Sequence, residues 1–367
     1  MKIKFVDLNR QYQTIKQDIQ KEIAETLERG DFILGAKVEE FEHCFANFCS
    51  TDYAIGVGSG TAALRLALQV LNLHRGAEVI IPVNTFFATV EAVIQIGLKP
   101  VFVDIDPKTY CIDISKIEEK ITDKTKVIIP VHLYGQCSDM DGVNDIANKH
   151  KLKVIEDSSQ AHGATFKGQK AGSMGDIGCF SFYPGKNLGA YGEGGACVTN
   201  NADYCHTIKM LRNHGSVKKY EHKLVGDNSR LETLQAGILK QKLIRLNDWN
   251  ESRRRIASQY SSELEAINIQ LPYVSEHNDH VFHLFVIQCQ NRDGLQKSLN
   301  EQSIATGLHY PIPLHLQKAC SFLGYKEGDF PVCEAYCKRI LSLPIFPELT
   351  KDEVKTISNS IISFYSC

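Results

Sequence analysis

No stretch of this 367-residue chain stays apolar long enough to span a bilayer as a helix, and its opening Met1-Lys2-Ile3-Lys4-Phe5-Val6-Asp7 lacks the apolar core of a secretory signal. The expected location is the cytoplasm, with no membrane partner. Charge of one sign is missing too: 41 Lys+Arg against 43 Asp+Glu leave a formal charge of -2 without a basic patch, so nucleic acid is not an expected partner. No Pro/Gly-rich linker, low-complexity tract or internal repeat interrupts the chain, and any domain boundary is therefore soft. Cysteine is plentiful, at twelve, but scattered, and Cys179, Cys197 and Cys289 lie in apolar runs. Reduced, mostly buried thiols are expected. Cys333 and Cys337 have helical spacing but no second cysteine pair or clustered histidine nearby, which argues against a metal site.

What is present is the composition of a soluble globular protein, 43% hydrophobic and 23% charged, with a length that suits about two domains. Short β-branched runs at Ala54–Val57, Glu78–Pro82, Lys99–Asp104, Lys126–Val131, Lys153–Glu156 and Gly178–Phe182 read as strands. Between them, Thr61–Leu71, Phe87–Ile96, Ser115–Ile121 and Met140–His150 have helical apolar spacing. The alternation predicts an α/β fold: a large, mainly parallel sheet covered by helices, with ligands bound beyond the carboxyl ends of its strands. An amphipathic helix is expected from Leu231 to about Leu264. A smaller C-terminal α/β domain over residues 250–367 should follow the large domain of residues 1–249, with strands at Val281–Gln288 and near Leu341–Leu343.

Four segments carry chemistry. Gly56-Val57-Gly58-Ser59-Gly60-Thr61-Ala62-Ala63-Leu64 follows a strand and opens a helix, where backbone amides and the Thr61 hydroxyl can approach a phosphate; such turns often merely turn. Val154-Ile155-Glu156-Asp157-Ser158-Ser159-Gln160-Ala161-His162-Gly163 ends an apolar strand in two carboxylates. Either Asp157 meets a cationic partner such as a protonated pyridine nitrogen, or both acids cap the next segment. Cys179-Phe180-Ser181-Phe182-Tyr183-Pro184-Gly185-Lys186-Asn187-Leu188-Gly189 sets Lys186 in apolar, glycine-punctuated surroundings that favour the neutral, reactive amine, with the Ser181 hydroxyl five residues before it. Pro82-Val83-Asn84-Thr85-Phe86-Phe87-Ala88-Thr89 places Phe86 where it can stack on a flat ring or join the core.

These segments, with Gly192-Glu193-Gly194-Gly195 and Leu211-Arg212-Asn213-His214-Gly215, resemble the DegT/DnrJ-type nucleotide-sugar aminotransferases over nearly the whole chain. The resemblance implies the aspartate-aminotransferase fold (fold type I of pyridoxal-phosphate enzymes), pyridoxal 5'-phosphate as cofactor, and a homodimer with shared active sites. It implies that Lys186 forms the Schiff base with the cofactor and shuttles the proton. Asp157 would pair with the ring nitrogen, Phe86 would stack on the ring and Gln160 would contact its hydroxyl. Gly60, Thr61 and Ser181 would hold the phosphate, joined by Asn228 from the neighbouring subunit. Tyr183, His309 and Tyr310 are the candidate substrate contacts, and Arg230 is a candidate for the carboxylate of the amino donor, expected to be glutamate.

Within that family, Phe182–Gly189 and His309-Tyr310-Pro311-Ile312-Pro313-Leu314-His315 look most like members that aminate C-3 of a dTDP-linked 3-keto-6-deoxyhexose. The alternatives are amination at C-4 of a dTDP-, UDP- or GDP-linked 4-keto sugar, or a non-catalytic sensor that keeps the fold. A related sugar dehydratase is disfavoured, because relatives of that kind carry histidine where this chain has Lys186.

Overall fold

The computed structural model describes residues 2–366. Its strands are β1 (Tyr53–Val57), β2 (Glu78–Pro82), β3 (Lys99–Val103), β4 (Thr125–Ile128), β5 (Lys153–Asp157), the short β6 (Thr165–Phe166) and β7 (Gln169–Lys170), β8 (Ile177–Ser181) and β9 (Gly195–Thr199). After these come β10 (Ser216–Lys218), β11 (Glu221–His222), β12 (Asn278–Asp279), β13 (Phe285–Gln288) and β14 (Ile340–Leu343). The helices are α1 (Leu8–Arg29), α2 (Ala36–Cys49), α3 (Gly60–Val70), α4 (Phe87–Gln95), α5 (Met140–His150), α6 (Ala202–Leu211), α7 (Thr233–Leu243), α8 (Leu246–Leu264), α9 (Arg292–Glu301), α10 (Pro331–Cys337) and α11 (Lys351–Ser366). Among the described residues no helix is long and apolar enough to cross a membrane.

Seven strands form the main sheet in the order β1-β9-β8-β5-β4-β2-β3. β8, β5, β4, β2 and β3 are parallel, and β9 runs antiparallel to both β1 and β8. β1 consequently points the same way as β8, and the carboxyl ends of β1, β2, β5 and β8 emerge on one edge. The central strands read as unbroken apolar runs because helices cover both faces: Val154, Ile155, Ile177, Cys179, Val79 and Ile81 are all buried.

Three expectations are corrected by the backbone. Ser115–Ile121 is two single 3-10 turns, Ile114–Lys116 and Glu118–Lys120, because the Asp113 carboxylate accepts from the Ser115 amide and hydroxyl and closes the chain locally. Leu231–Leu264 breaks at Ile244-Arg245, so that α7 packs on α1 and α2 while α8 packs on α11. Val281–Gln288 is extended only from Phe285, since Phe282 adopts a left-handed φ of 43°. Packing also crosses residue 250 in both directions. Ile3 is buried with Tyr260, Phe285, Leu341 and Ile357, whereas Cys320, Phe330, Cys333 and Tyr336 pack with the main sheet.

The eleven described cysteines are free thiols, all buried except the half-buried Cys44. The Cys333 and Cys337 sulfurs lie 3.8 Å apart within α10, and among the described residues no cluster of three or more His, Cys, Asp or Glu side chains could hold a metal ion.

One buried ion pair ties α2 to the opening strand and the end of α6. Glu42 accepts from the Gly56 amide at 2.8 Å and from Arg212, whose guanidinium also donates to the Gly56 carbonyl at 2.6 Å. Both side chains are almost fully buried, so removing the cation strands a carboxylate away from water. Arg212→Met is expected to cost about 3–5 kcal/mol of unfolding free energy in urea titration; a loss below about 1 kcal/mol would show that the pair contributes no more than a surface contact.

Candidate active site

The turn after β1 and the end of β8 are pressed together. A Cβ on Gly60 would lie 2.6 Å from the Ser181 Cβ, so only glycine lets the first turn of α3 approach Ser181 this closely. Ser59 caps its own helix, accepting from the Ala62 amide at 3.1 Å. The Gly60 and Thr61 amides then face the same strand end as the Ser181 hydroxyl, a cradle of donors at a positive helix terminus.

Neighbouring carboxylates at the end of β5 have opposite fates because successive strand side chains alternate faces. Glu156 is fully buried and saturated: it accepts from the Gly172, Met174 and Gly175 amides and from His132 Nε2 at 2.8 Å. His132 Nδ1 accepts from the Ser138 amide, which assigns the ring proton to Nε2. Asp157, on the other face, accepts only from the Thr89 hydroxyl at 2.8 Å and the Ser159 amide at 3.2 Å. It is 5% exposed and retains acceptor capacity, as a partner for a buried cation requires.

Lys186 follows in a turn closed by its own amide on the Tyr183 carbonyl at 2.8 Å. The residue is half-buried by surface area, but dense protein surrounds the amine, and this desolvation lowers it to about 8 against the opposing attraction of Asp157. It forms no ion pair among the described residues, so Asp157 is felt without direct contact. Burial and the Lys186 charge together push His162 down to about 3 and His309 to about 4, and His283 is likewise lowered. The cation is surrounded by neutral imidazoles rather than by counter-charges.

Gln160 is fixed at both ends: its Oε1 accepts from the Tyr134 amide at 2.7 Å and its Nε2 donates to the Tyr310 hydroxyl at 3.1 Å. Tyr134 holds a left-handed φ of 60° and donates its hydroxyl to the His309 carbonyl, joining Gln160 to the His309-Tyr310 loop. His309 Nδ1 meets the Ser342 hydroxyl at 2.8 Å and its ring stacks on Phe5. Phe86 is 56% exposed, with its ring 5.8 Å from that of Tyr310.

The single chain thus gathers Gly60, Thr61 and Ser181 on one side, and Asp157, Lys186, Gln160, Phe86, His309 and Tyr310 on the other. Tyr183 stands at the rim, 57% exposed. Asn228 is exposed beside Ser229, whose carbonyl accepts from Gly58, and no described contact links it to Lys186 or Ser181. Arg230 donates to Asn213 at 2.8 Å.

Sequence reasoning passed over Thr89, Tyr134, Asn187, Asn250 and His283. Thr89 had a local signal, sitting four residues from Thr85 on the first turn of α4, where their hydroxyls meet at 3.1 Å. The others enter by tertiary packing.

The lowered Lys186 amine is directly measurable in the cofactor-free protein. Acylation of Lys186, followed by peptide mass spectrometry across pH, is expected to reach half-maximal rate near pH 8; a midpoint near the unperturbed ~10.4 would contradict its desolvation. Thr89→Val, which keeps shape but removes the donor to Asp157, is expected to lower unfolding stability by about 1.5–3 kcal/mol, the range for a hydrogen bond to a charged group.

The sequence pattern of the DegT/DnrJ/EryC1/StrS aminotransferase family matches residues 13–362. The dTDP-3-amino-3,6-dideoxy-alpha-D-galactopyranose transaminase of Aneurinibacillus thermoaerophilus is 46% identical, over 98% of this chain and 98% of its own. A protein of Geobacillus stearothermophilus named as a pleiotropic regulatory protein is 44% identical over 100% and 99%. The crystal structure of S. venezuelae DesV in complex with a ketimine intermediate superposes with a TM-score of 0.98 at 39% identity, covering 100% of this chain and 99% of that one. By sequence over almost its whole length, the chain belongs to the DegT/DnrJ/EryC1/StrS aminotransferase family.

Proposed function

We propose that this aminotransferase moves an amino group from glutamate to the C-3 ketone of a dTDP-linked 3-keto-6-deoxyhexose, giving a dTDP-3-amino-3,6-dideoxyhexose, in a cytoplasmic homodimer with shared active sites. The observation that carries the reading is the desolvated Lys186 amine beside a buried, incompletely satisfied Asp157. The sugar assignment rests on the likeness to the Aneurinibacillus transaminase and on the aromatic, histidine-bearing 309–315 loop next to Gln160.

Aminotransferases of this family depend on pyridoxal 5'-phosphate, and the residues present fit it. The Gly60–Ser181 cradle, which a single Cβ would fill, suits its phosphate. Asp157 has acceptor capacity for a protonated ring nitrogen. Because the Tyr134 amide occupies Oε1 of Gln160, its Nε2 is the atom left to donate toward a ring oxygen. Phe86, exposed at the start of α4, offers a flat face. When bound, the cofactor supplies an electron sink and a temporary carrier for the amino group.

The chain's own work is to hold and move protons. With its ammonium destabilised, Lys186 can take the proton from the donor's α-carbon as a base and return it as an acid near neutral pH. Thr89 orients the Asp157 carboxylate through its hydroxyl. Neutral His162 and His309 add no positive charge beside that amine. Tyr183 and the His309-Tyr310 loop border the sugar, and in the dimer Asn228 of a second copy would complete the phosphate cradle. The exposed side chain of Asn228 accords with that assignment.

A regulatory relative keeps a sensor in view as the second reading, but the presence of Lys186, Asp157, Ser181 and Gln160 together favours catalysis. Two assays test the proposal. Incubated with glutamate and a panel of 3-keto and 4-keto dTDP-, UDP- and GDP-sugars, the enzyme is expected to aminate the dTDP-linked 3-keto sugar fastest; amination of 4-keto sugars alone would overturn the C-3 assignment. Lys186→Ala is expected to fold yet lose turnover by a factor on the order of 10⁴ or more, since Schiff-base amine and proton shuttle go together. Turnover near the parent rate would remove Lys186 from its role.

A further inference from the structure

Behind Lys186 runs a chain of amide hydrogen bonds whose polarity can be read without ambiguity. Asn250, on α8 and 2% exposed, donates from Nδ2 to the His162 carbonyl at 2.8 Å. A carbonyl only accepts, so the Asn250 amide has one orientation, and its Oδ1 must face Asn187 as an acceptor. Asn187 answers as a donor, with Nδ2 at 2.9 Å from Asn250 Oδ1 and 3.0 Å from the Val281 carbonyl. This second carbonyl fixes the Asn187 amide independently. Its Oδ1 then faces His283 Nδ1 at 3.2 Å, and since an amide oxygen cannot donate, the ring proton sits on Nδ1.

We propose that Asn250 and Asn187 are positioning residues for amino transfer, which hold the Lys186 backbone in register with the Asp157–His162 segment and fix His283 as the Nδ1–H tautomer, leaving its Nε2 an acceptor. The proposal rests on the reading of Lys186 as that amine. Three features carry it. The relay spans the residue next to Lys186 and the loop that bears Gln160, two segments remote in sequence whose separation sets the working distance of the site. It is buried, and both amides are satisfied at both ends, so it specifies a single arrangement. His283 lies near enough to Lys186, His309 and His162 to feel their charge, and burial keeps it neutral, so the tautomer fixed by Asn187 decides what the ring presents. Arg253, one turn after Asn250, gathers the Phe282, His283 and Ile345 carbonyls and holds the His283 backbone from the same helix.

Histidine-selective ¹H–¹⁵N spectra of the holoenzyme, with His283 assigned by its loss in His283→Gln, read the tautomer directly. The parent is expected to show Nδ1–H, and Nε2–H at His283 overturns the proposal before any variant is made. In Asn187→Ala and Asn250→Ala the Nε2–H form should gain. The pH midpoint of the bound cofactor's visible band should shift by about half a unit or more, and kcat should fall about tenfold to a hundredfold, as expected for misplacement on the order of 1 Å. KM for glutamate should change by less than about threefold, because binding groups are untouched. The double variant should be no worse than the poorer single one, as for two links of one chain. Variants that keep tautomer, midpoint and kcat contradict the proposal. Failure of the Lys186 reading is distinguishable, since it would leave the Nδ1–H tautomer in place while Lys186→Ala retained turnover.

Discussion

The rest of the site depends on one constraint: a lysine amine must be kept out of water without being given a counter-ion of its own. An ammonium in contact with a carboxylate would be locked in its charged form, and one in bulk water would titrate far above neutral pH. Here Lys186 feels Asp157 without pairing with it, and its neighbours His162, His283 and His309 are neutral. The amine is held where both of its protonation states are accessible near pH 8. That balance requires a fold which brings a turn, two strand ends and a C-terminal loop together.

The parallel sheet provides this economically. Strands β1, β2, β5 and β8 leave the sheet at one edge, so the helix terminus after β1, Phe86 after β2, Asp157 on β5 and Ser181 on β8 converge without long connections. The alternation of side chains along β5 then separates two jobs between adjacent acids. Glu156 is saturated by three amides and a histidine and serves only the architecture; Asp157 is left with capacity to spare. Elsewhere a buried carboxylate is matched by a buried cation, as with Glu42 and Arg212.

Much of this was legible in the sequence because the chemistry lies in short contiguous segments. The Gly58–Thr61 turn, the Glu156-Asp157 strand end and the Ser181–Lys186 run each carry their meaning within about ten residues, and the alternating strand and helix pattern fixes the sheet class. What escaped was non-local or conformational. The antiparallel strand β9 hides behind a glycine-rich opening, and the break at Ile244-Arg245 arises because α7 and α8 serve different partners. Asn250 lies 63 positions along the chain from its partner Asn187, and although Asn187 sits in the Lys186 segment, nothing local shows that the two meet. Tyr134 meets Gln160 through its backbone amide, which composition cannot reveal. The candidate site residues were nameable from sequence; the groups that pack around them were visible only in space.

The central claim is that Lys186 is the amine that binds the cofactor. Reducing the pyridoxal-phosphate-loaded enzyme with borohydride and mapping its peptides tests this most directly, because reduction makes the lysine linkage permanent. The account predicts a single pyridoxyl label, on Lys186. A label on a different lysine, such as the buried Lys242, or no covalent label despite stoichiometric cofactor, would contradict it.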